Sequence, residues 1–169
     1  KVISSLKKIN IEVYMLTGDN KYTALSVANK VGIKNVIAEV QPENKAEEIS
    51  KLKTNGHIVA MVGDGINDSP ALATSDVGFA MGTGTDTAIE TGDIVILRED
   101  LTALLDAIKL SKATMRKIRQ NLFWAFIYNI IAIPVAVTGH LNPVIGAAAM
   151  SFSSISVLLN SLSLKRFKF

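Results

Sequence analysis

From Gln120 to Leu164 the chain runs for 45 residues without a single Lys, Arg, Asp or Glu. One bilayer crossing takes about 20 apolar residues, so this run is too long for one span and sufficient for two joined by a turn. The turn is set by Thr138-Gly139-His140-Leu141-Asn142-Pro143, whose Gly, Asn and Pro are loop formers. Helices are expected over Leu122 to Val137 and Val144 to Leu162. Five basic residues and no acid lie between Lys109 and Arg119, and Lys165, Arg166 and Lys168 follow the second span. A hairpin puts both basic blocks on one side, and the positive-inside rule makes that side the cytoplasm. A pair of buried helices in a large soluble protein is the competing reading. Lys/Arg flanks on both spans argue against it.

The remainder is acidic. Residues 1 to 108 hold 10 basic and 15 acidic side chains, so the formal net charge of +3 for the whole chain describes no part of it and gives no reason to expect a nucleic-acid partner. With 49% hydrophobic residues the chain is not disordered, and with no Cys it has no disulfide framework, no cysteine metal site and no thiol nucleophile. Lys1 to Leu6 has no signal-peptide pattern and reads as the middle of a helix, so a longer protein is expected around this chain.

Strand and helix signals alternate through the acidic part. Strands are expected at Ile11 to Leu16, Asn35 to Val40, His57 to Val62, Asp76 to Ala80 and Asp93 to Leu97. Helices are expected at Tyr22 to Val31, Glu43 to Thr54, Ala71 to Thr74 and Thr85 to Thr91. That order implies one parallel sheet covered on both faces, with ligands at the carboxyl ends of its strands. A last helix, Leu101 to Arg119, leads to the membrane with its basic half at the lipid headgroups. The organisation expected is therefore an α/β body over 1–108, a basic juxtamembrane helix over 109–121, a membrane hairpin over 122–164 and a basic tail over 165–169.

Two strands end in turns rich in Gly, hydroxyl and carboxylate. Thr17-Gly18-Asp19 offers a hydroxyl and backbone N–H groups at a helix start, which suits a phosphoryl oxygen, although such a turn also serves simply as a cap. Gly63-Asp64-Gly65-Ile66-Asn67-Asp68 places two carboxylates four residues apart, with glycines that let the backbone come close. Mg2+ takes one or two carboxylates plus substrate phosphate, so Asp64 and Asp68 are candidate ligands; a turn capped by Asn67 or Asp68 is the plainer alternative. Lys45, three residues after Pro42, is a candidate point charge for phosphate, though a single Lys is by itself an ordinary surface residue.

In this order, Met15-Leu16-Thr17-Gly18-Asp19-Asn20, Pro42-Glu43-Asn44-Lys45 and Met61-Val62-Gly63-Asp64-Gly65-Ile66-Asn67-Asp68-Ser69-Pro70 resemble the phosphorylation domain of P-type ATPases, a branch of the haloacid-dehalogenase-like superfamily. The resemblance implies a partial Rossmannoid phosphorylation domain followed by a transmembrane hairpin, with ATP and Mg2+ as cofactors. It implies that Thr17 holds the phosphoryl group, Lys45 neutralises it and Asp64 binds Mg2+. Asn67 and Asp68 support that site, and Gly18 and Asp19 lie on the nucleotide side. The family's nucleophilic Asp lies in a DKTGT sequence and its actuator motif is TGE; neither occurs here, so this chain alone is not expected to turn over ATP.

Polar groups inside a bilayer are costly and so are functional candidates. They are Tyr128 and Asn129 with the helix-breaking Pro134 in the first span, and Met150, Ser151, Ser153, Ser154, Ser156 and Asn160 in the second. A thioether suits a soft ion such as Cu(I), whereas zinc or calcium calls for carboxylate or imidazole, and neither span contains a carboxylate. Singly, each of these groups is equally at home in helix packing. Jointly, Asn121, Tyr128-Asn129 and Pro134 with Met150 and Ser153-Ser154 resemble the signature of copper-transporting heavy-metal ATPases. That resemblance implies Cu(I) ligation by Tyr128, Asn129, Met150 and Ser154, completed by a Cys-Pro-Cys or Cys-Pro-His helix that this sequence does not contain. It also implies a Cu(I) exporter of the plasma membrane whose head and C-terminus are cytoplasmic. Its partners would be the bilayer, the actuator and nucleotide domains, further membrane helices and a copper chaperone. A zinc or cadmium pump, a pump of the copper/silver subgroup, a membrane-anchored phosphatase and a non-catalytic regulator of the same superfamily remain as alternatives.

Overall fold

The computed structural model describes residues 1–98, 100–139 and 143–167. The chain forms two compact units, Lys1–Leu105 and Asp106–Phe169.

The first unit follows the expected alternation. It runs α1 (Val2–Lys8), β1 (Tyr14–Leu16), α2 (Lys21–Val31), β2 (Asn35–Ile37), α3 (Lys45–Thr54), β3 (Ala60–Gly63), α4 (Ser69–Thr74), β4 (Val77–Met81), α5 (Asp86–Thr91) and β5 (Ile94–Ile96). Single 3-10 turns at Pro42–Asn44 and Ile66–Asp68 lead into α3 and α4. The strands are shorter than their apolar runs because flanking backbone groups are claimed elsewhere. Ile11 N donates to Leu6 O of α1 at 3.1 Å, Val40 N to Thr17 O at 3.2 Å and Val59 N to the Asp76 carboxylate at 2.9 Å.

Every pairing is parallel, as predicted, yet the strands make two sheets rather than one. β1 pairs with β2, Tyr14 opposite Asn35, and β4 lies between β3 and β5, with Met61 opposite Gly78 and Ala80 opposite Val95. β4 is the most buried strand, with Gly78, Phe79 and Ala80 all inside. The core between the sheet and its helices is built from Ile49 of α3, Met61 of β3, Ala71 and Leu72 of α4 and Ala88 of α5, with Leu16 of β1 and Val59 packed against it. Leu72, 1% exposed, is the largest side chain shut away completely among the described residues.

The segment expected to divide into a juxtamembrane helix and a first span is one helix, α6 (Thr102–Val137), of 36 residues. Between Leu101 and Leu122 there is no Gly or Pro, and Asn121, the capping-type residue at the expected break, is bonded to another helix instead. At 1.5 Å per residue α6 is about 54 Å long, well beyond the roughly 30 Å hydrocarbon layer, so a span and a polar extension fit in one rod. It continues through Pro134, which cannot donate to the Ile130 carbonyl. The second helix is α7 (Pro143–Leu162), ending in a 3-10 turn at Ser163–Arg166. Both helices are long and apolar enough to cross a membrane, and none of the described residues in their apolar windows is buried. His140, Leu141 and Asn142 of the expected turn, and Lys168 of the basic tail, lie outside the described residues.

Candidate phosphate, magnesium and membrane ion sites

The carboxyl ends of β1 and β3 carry the two predicted motifs, where a parallel sheet presents its loops to ligand. After Leu16 the ladder continues one residue, Thr17 N donating to Ile37 O at 3.0 Å, and then turns. The half-buried Thr17 hydroxyl accepts from Asp19 N at 3.1 Å and donates to the Asp19 carboxylate at 3.0 Å. Asn20 caps α2 by accepting from Thr23 N at 2.9 Å. The turn is tied to the segment after β2 by Glu39 N donating to Asp19 O at 2.9 Å. A hydroxyl has one proton to give. To serve a phosphoryl oxygen, the Thr17 proton must swing from Asp19 to the incoming anion.

The second motif is centred on Asp68. Its Oδ1 accepts from Lys45 Nζ at 2.7 Å, and its Oδ2 faces Asp64 N and Gly65 N, both at 3.4 Å. Asp68 N closes the turn on Gly65 O at 3.0 Å. Lys45 and Asp68 are largely buried, their side chains 17% and 13% exposed. Gly63 is required by contact: a Cβ there would sit 2.6 Å from Asp68 Cβ. Gly84 is required on the other flank, where a Cβ would lie 2.4 Å from Asp64 O, the same oxygen that accepts from Thr85 N at 2.9 Å. Backbone contacts on both sides therefore fix Asp64, while its carboxylate is exposed and has no partner among the described residues. The Asn67 side chain is likewise exposed and unbonded among them.

The predicted residues thus fall into two groups. Lys45, Asp64 and Asp68 form one, and Thr17, Gly18 and Asp19 the other; no hydrogen bond or ion pair joins the two among the described residues. No cluster of three or more His, Cys, Asp or Glu is present among them. That suits a cation which keeps its waters and borrows phosphate oxygens, since Mg2+ needs only one or two carboxylates. The fit is local: Asp64 offers oxygens without a partner among the described residues, on a backbone held by Thr85 and packed against Gly84. Two features escaped the sequence reading. The Lys45–Asp68 pair spans 23 positions and has no local signal. The Gly82-Thr83-Gly84-Thr85 loop does have one, a glycine-rich turn following a strand, and it was available to be read.

In the second unit the candidate ion ligands are held by local bonds. Asn129 Nδ2 donates to Ala125 O at 2.9 Å, Ser154 Oγ to Met150 O at 3.1 Å and Ser151 Oγ to Ala147 O at 3.0 Å. Tyr128 lies tilted against Trp124, ring centroids 6.4 Å apart. Met150, 73% exposed, shares one face of α7 with Ser154, so its thioether is open to a partner. Among the described residues, the side-chain bonds between α6 and α7 include a group at one end. Asn160 Oδ1 accepts from Lys117 Nζ at 2.8 Å, Asn160 Nδ2 donates to Asn121 Oδ1 at 2.8 Å, and Asn121 Nδ2 donates to Ser161 Oγ at 2.8 Å. Asn121 and Asn160 are therefore a polar clamp, with Asn160 ten residues, or just under three helical turns, from Met150 on α7.

A family model described as haloacid dehalogenase-like hydrolase matches residues 1–76. Over 99% of its length the chain is 56% identical to a probable copper-transporting ATPase of Synechocystis sp. and 55% identical to a copper-exporting P-type ATPase of Bacillus subtilis. It spans only about a fifth of those relatives, 23% and 21% of their lengths. The crystal structure of a zinc-transporting PIB-type ATPase in the E2.Pi state superposes on 96% of the chain with a TM-score of 0.90 at 35% identity, the chain covering 27% of it.

Proposed function

The chain belongs to the heavy-metal P-type ATPases, with a haloacid-dehalogenase-like head and two membrane helices, and from that membership we propose that it serves an ATP-driven Cu(I) exporter working through an aspartyl phosphate. The phosphorylated Asp would be supplied by residues outside these 169. Phosphoryl transfer is mostly positioning and charge neutralisation, and the head's side chains suit both tasks. Thr17 would donate its hydroxyl proton to a phosphoryl oxygen and Lys45 would bring its positive charge, carried on Asp68. Asp64, with Asn67 beside it, would hold Mg2+, which when bound offsets phosphate charge. Gly18 and Asp19 would border the nucleotide.

The observation that carries the copper reading is that 56% identity extends over 99% of the chain, and hence through both spans, to a relative named for copper. The spans support it chemically, because an exposed thioether at Met150 with Ser154, Tyr128 and Asn129 favours a soft monovalent ion over zinc. The zinc-transporting structure shares the fold at lower identity. In the intact pump, Met150→Ala should abolish copper-stimulated ATP hydrolysis while leaving phosphorylation by inorganic phosphate, the cycle run backwards, largely intact. Unchanged copper stimulation would remove Met150 from the site, and stimulation by Zn2+ in place of Cu(I) would overturn the ion assignment. Uptake of copper into inverted vesicles tests the outward direction.

A further inference from the structure

The five basic residues of the collar on α6 do not have the same surroundings. Lys109 pairs with Asp106 at 3.6 Å, and Lys117 is spent on Asn160 at 2.8 Å. Lys112, Arg116 and Arg119 have no ion pair or hydrogen-bonded side chain among the described residues, and no Asp or Glu occurs anywhere from Lys109 to Phe169. These three lie at i, i+4 and i+7, on one helix face. Together they line a shallow, open groove of about 560 Å3 along this one face of α6, with Phe123 and Trp124 at its far end. The two rings stand nearly perpendicular, centroids 5.5 Å apart, and both are substantially exposed.

The groove straddles the point where the charge-free run begins, at Gln120. Five residues of helix separate Arg119 from Trp124, about 7.5 Å of rise. The polar zone on one side of a bilayer is about that thick, so aromatic rings at the hydrocarbon boundary put the guanidinium groups level with lipid phosphates. Guanidinium forks match phosphate oxygens bidentately, and an unpaired cluster of cations with apolar rings beneath it copies the layout of a headgroup above its acyl chains.

We propose that the groove from Lys112 to Trp124 is a binding site for an anionic glycerophospholipid, its phosphate held by Lys112, Arg116 and Arg119 and its acyl chains lying over Phe123 and Trp124. An internal probe is available, because Trp124 is the sole Trp of the chain. The full chain in nanodiscs should transfer Trp124 excitation more efficiently to dansyl-phosphatidylglycerol than to dansyl-phosphatidylcholine. Arg116→Gln with Arg119→Gln should lower that preference on the order of 30-fold, from the roughly fivefold that each near-surface cation contributes. Lys165→Gln with Arg166→Gln removes the same charge from the tail and should keep the preference. Helix content by circular dichroism and Trp124 emission without labelled lipid check that the variants are folded. Equal transfer to both lipids, or equal loss in the tail variant, would overturn the site as general surface attraction. Displacement by millimolar inorganic phosphate would overturn the lipid as its occupant.

Discussion

Breaking the Lys45–Asp68 pair from either side should have unequal consequences. At 2.7 Å, with an effective dielectric near 20, the gross attraction is about 6 kcal/mol, most of it cancelled by the several kcal/mol needed to desolvate each ion. The net value of the pair is therefore small, but the cost of orphaning one member is not. Full burial would make that about 3–5 kcal/mol. Here the side chains keep 17% and 13% exposure, which lowers it. Lys45 has a four-carbon stem and can lift its ammonium to water, and Asn at 68 keeps an acceptor oxygen, so Asp68→Asn should cost about 1–2 kcal/mol. Asp68 has no such reach. In Lys45→Met its carboxylate stays in place with only two long 3.4 Å backbone contacts, so that change should cost about 2–3 kcal/mol. The double variant should cost less than the sum by about 1–2 kcal/mol. Hydrogen exchange of the amides from Gly63 to Leu72 in the full chain reads these losses locally, with about 30-fold less protection for 2 kcal/mol. Costs that add to within about 0.5 kcal/mol, or a larger effect from Asp68→Asn than from Lys45→Met, would refute the reasoning.

Asp64→Asn should prevent Mg2+-dependent phosphoenzyme formation in the intact pump with little loss of head stability, since its carboxylate has no partner among the described residues; normal phosphoenzyme levels would remove it from the metal role. Gly63→Ala forces a Cβ to within 2.6 Å of Asp68 Cβ and should cost about 1–3 kcal/mol, seen as faster exchange across the same loop. The Val59 N–H, first, and the Lys53 ammonium, second, hold the Asp76 carboxyl below its usual pKa. Because that pKa is lowered in the fold, the stabilisation is present at neutral pH and fades as pH falls through the ordinary carboxylate range near 4 and on through the folded value. The Val59 amide resonance should titrate with a midpoint below that range; a midpoint at or above it would dismiss the bond as the cause.

How much of this was legible depended on how local each cause is. The order of strands and helices, the parallel pairing and the two spans follow from patterns a few residues wide, and they were readable. Strand ends were not, because their limits are set by partners such as Asp76 for Val59 or Thr17 for Val40, which lie far away in sequence. The continuity of α6 was missed for a related reason. Asn121 has a capping preference, and only the presence of Asn160 and Ser161 across the hairpin shows that its amide is occupied. The same holds in the head. Its motifs named Thr17, Lys45, Asp64 and Asp68 one at a time, but nothing in their spacing says that Asp68 is bound to Lys45 while Asp64 is left open.

That division of labour between two carboxylates bears on mechanism. A phosphate site with a free Lys would hold a flexible cation on four rotatable bonds and lose much of its attraction to disorder. Tying Lys45 to Asp68 fixes where the charge stands, and tying Asp68 to the Asp64 and Gly65 amides couples that position to the loop presenting the proposed cation ligand. Lys45 and Asp64 should then move together or not at all. A variant that loosens the loop without touching either charge, such as Gly63→Ala, is therefore expected to weaken Mg2+ and phosphate binding in the same proportion. Loss of one with the other unchanged would mean that the two charges are held independently.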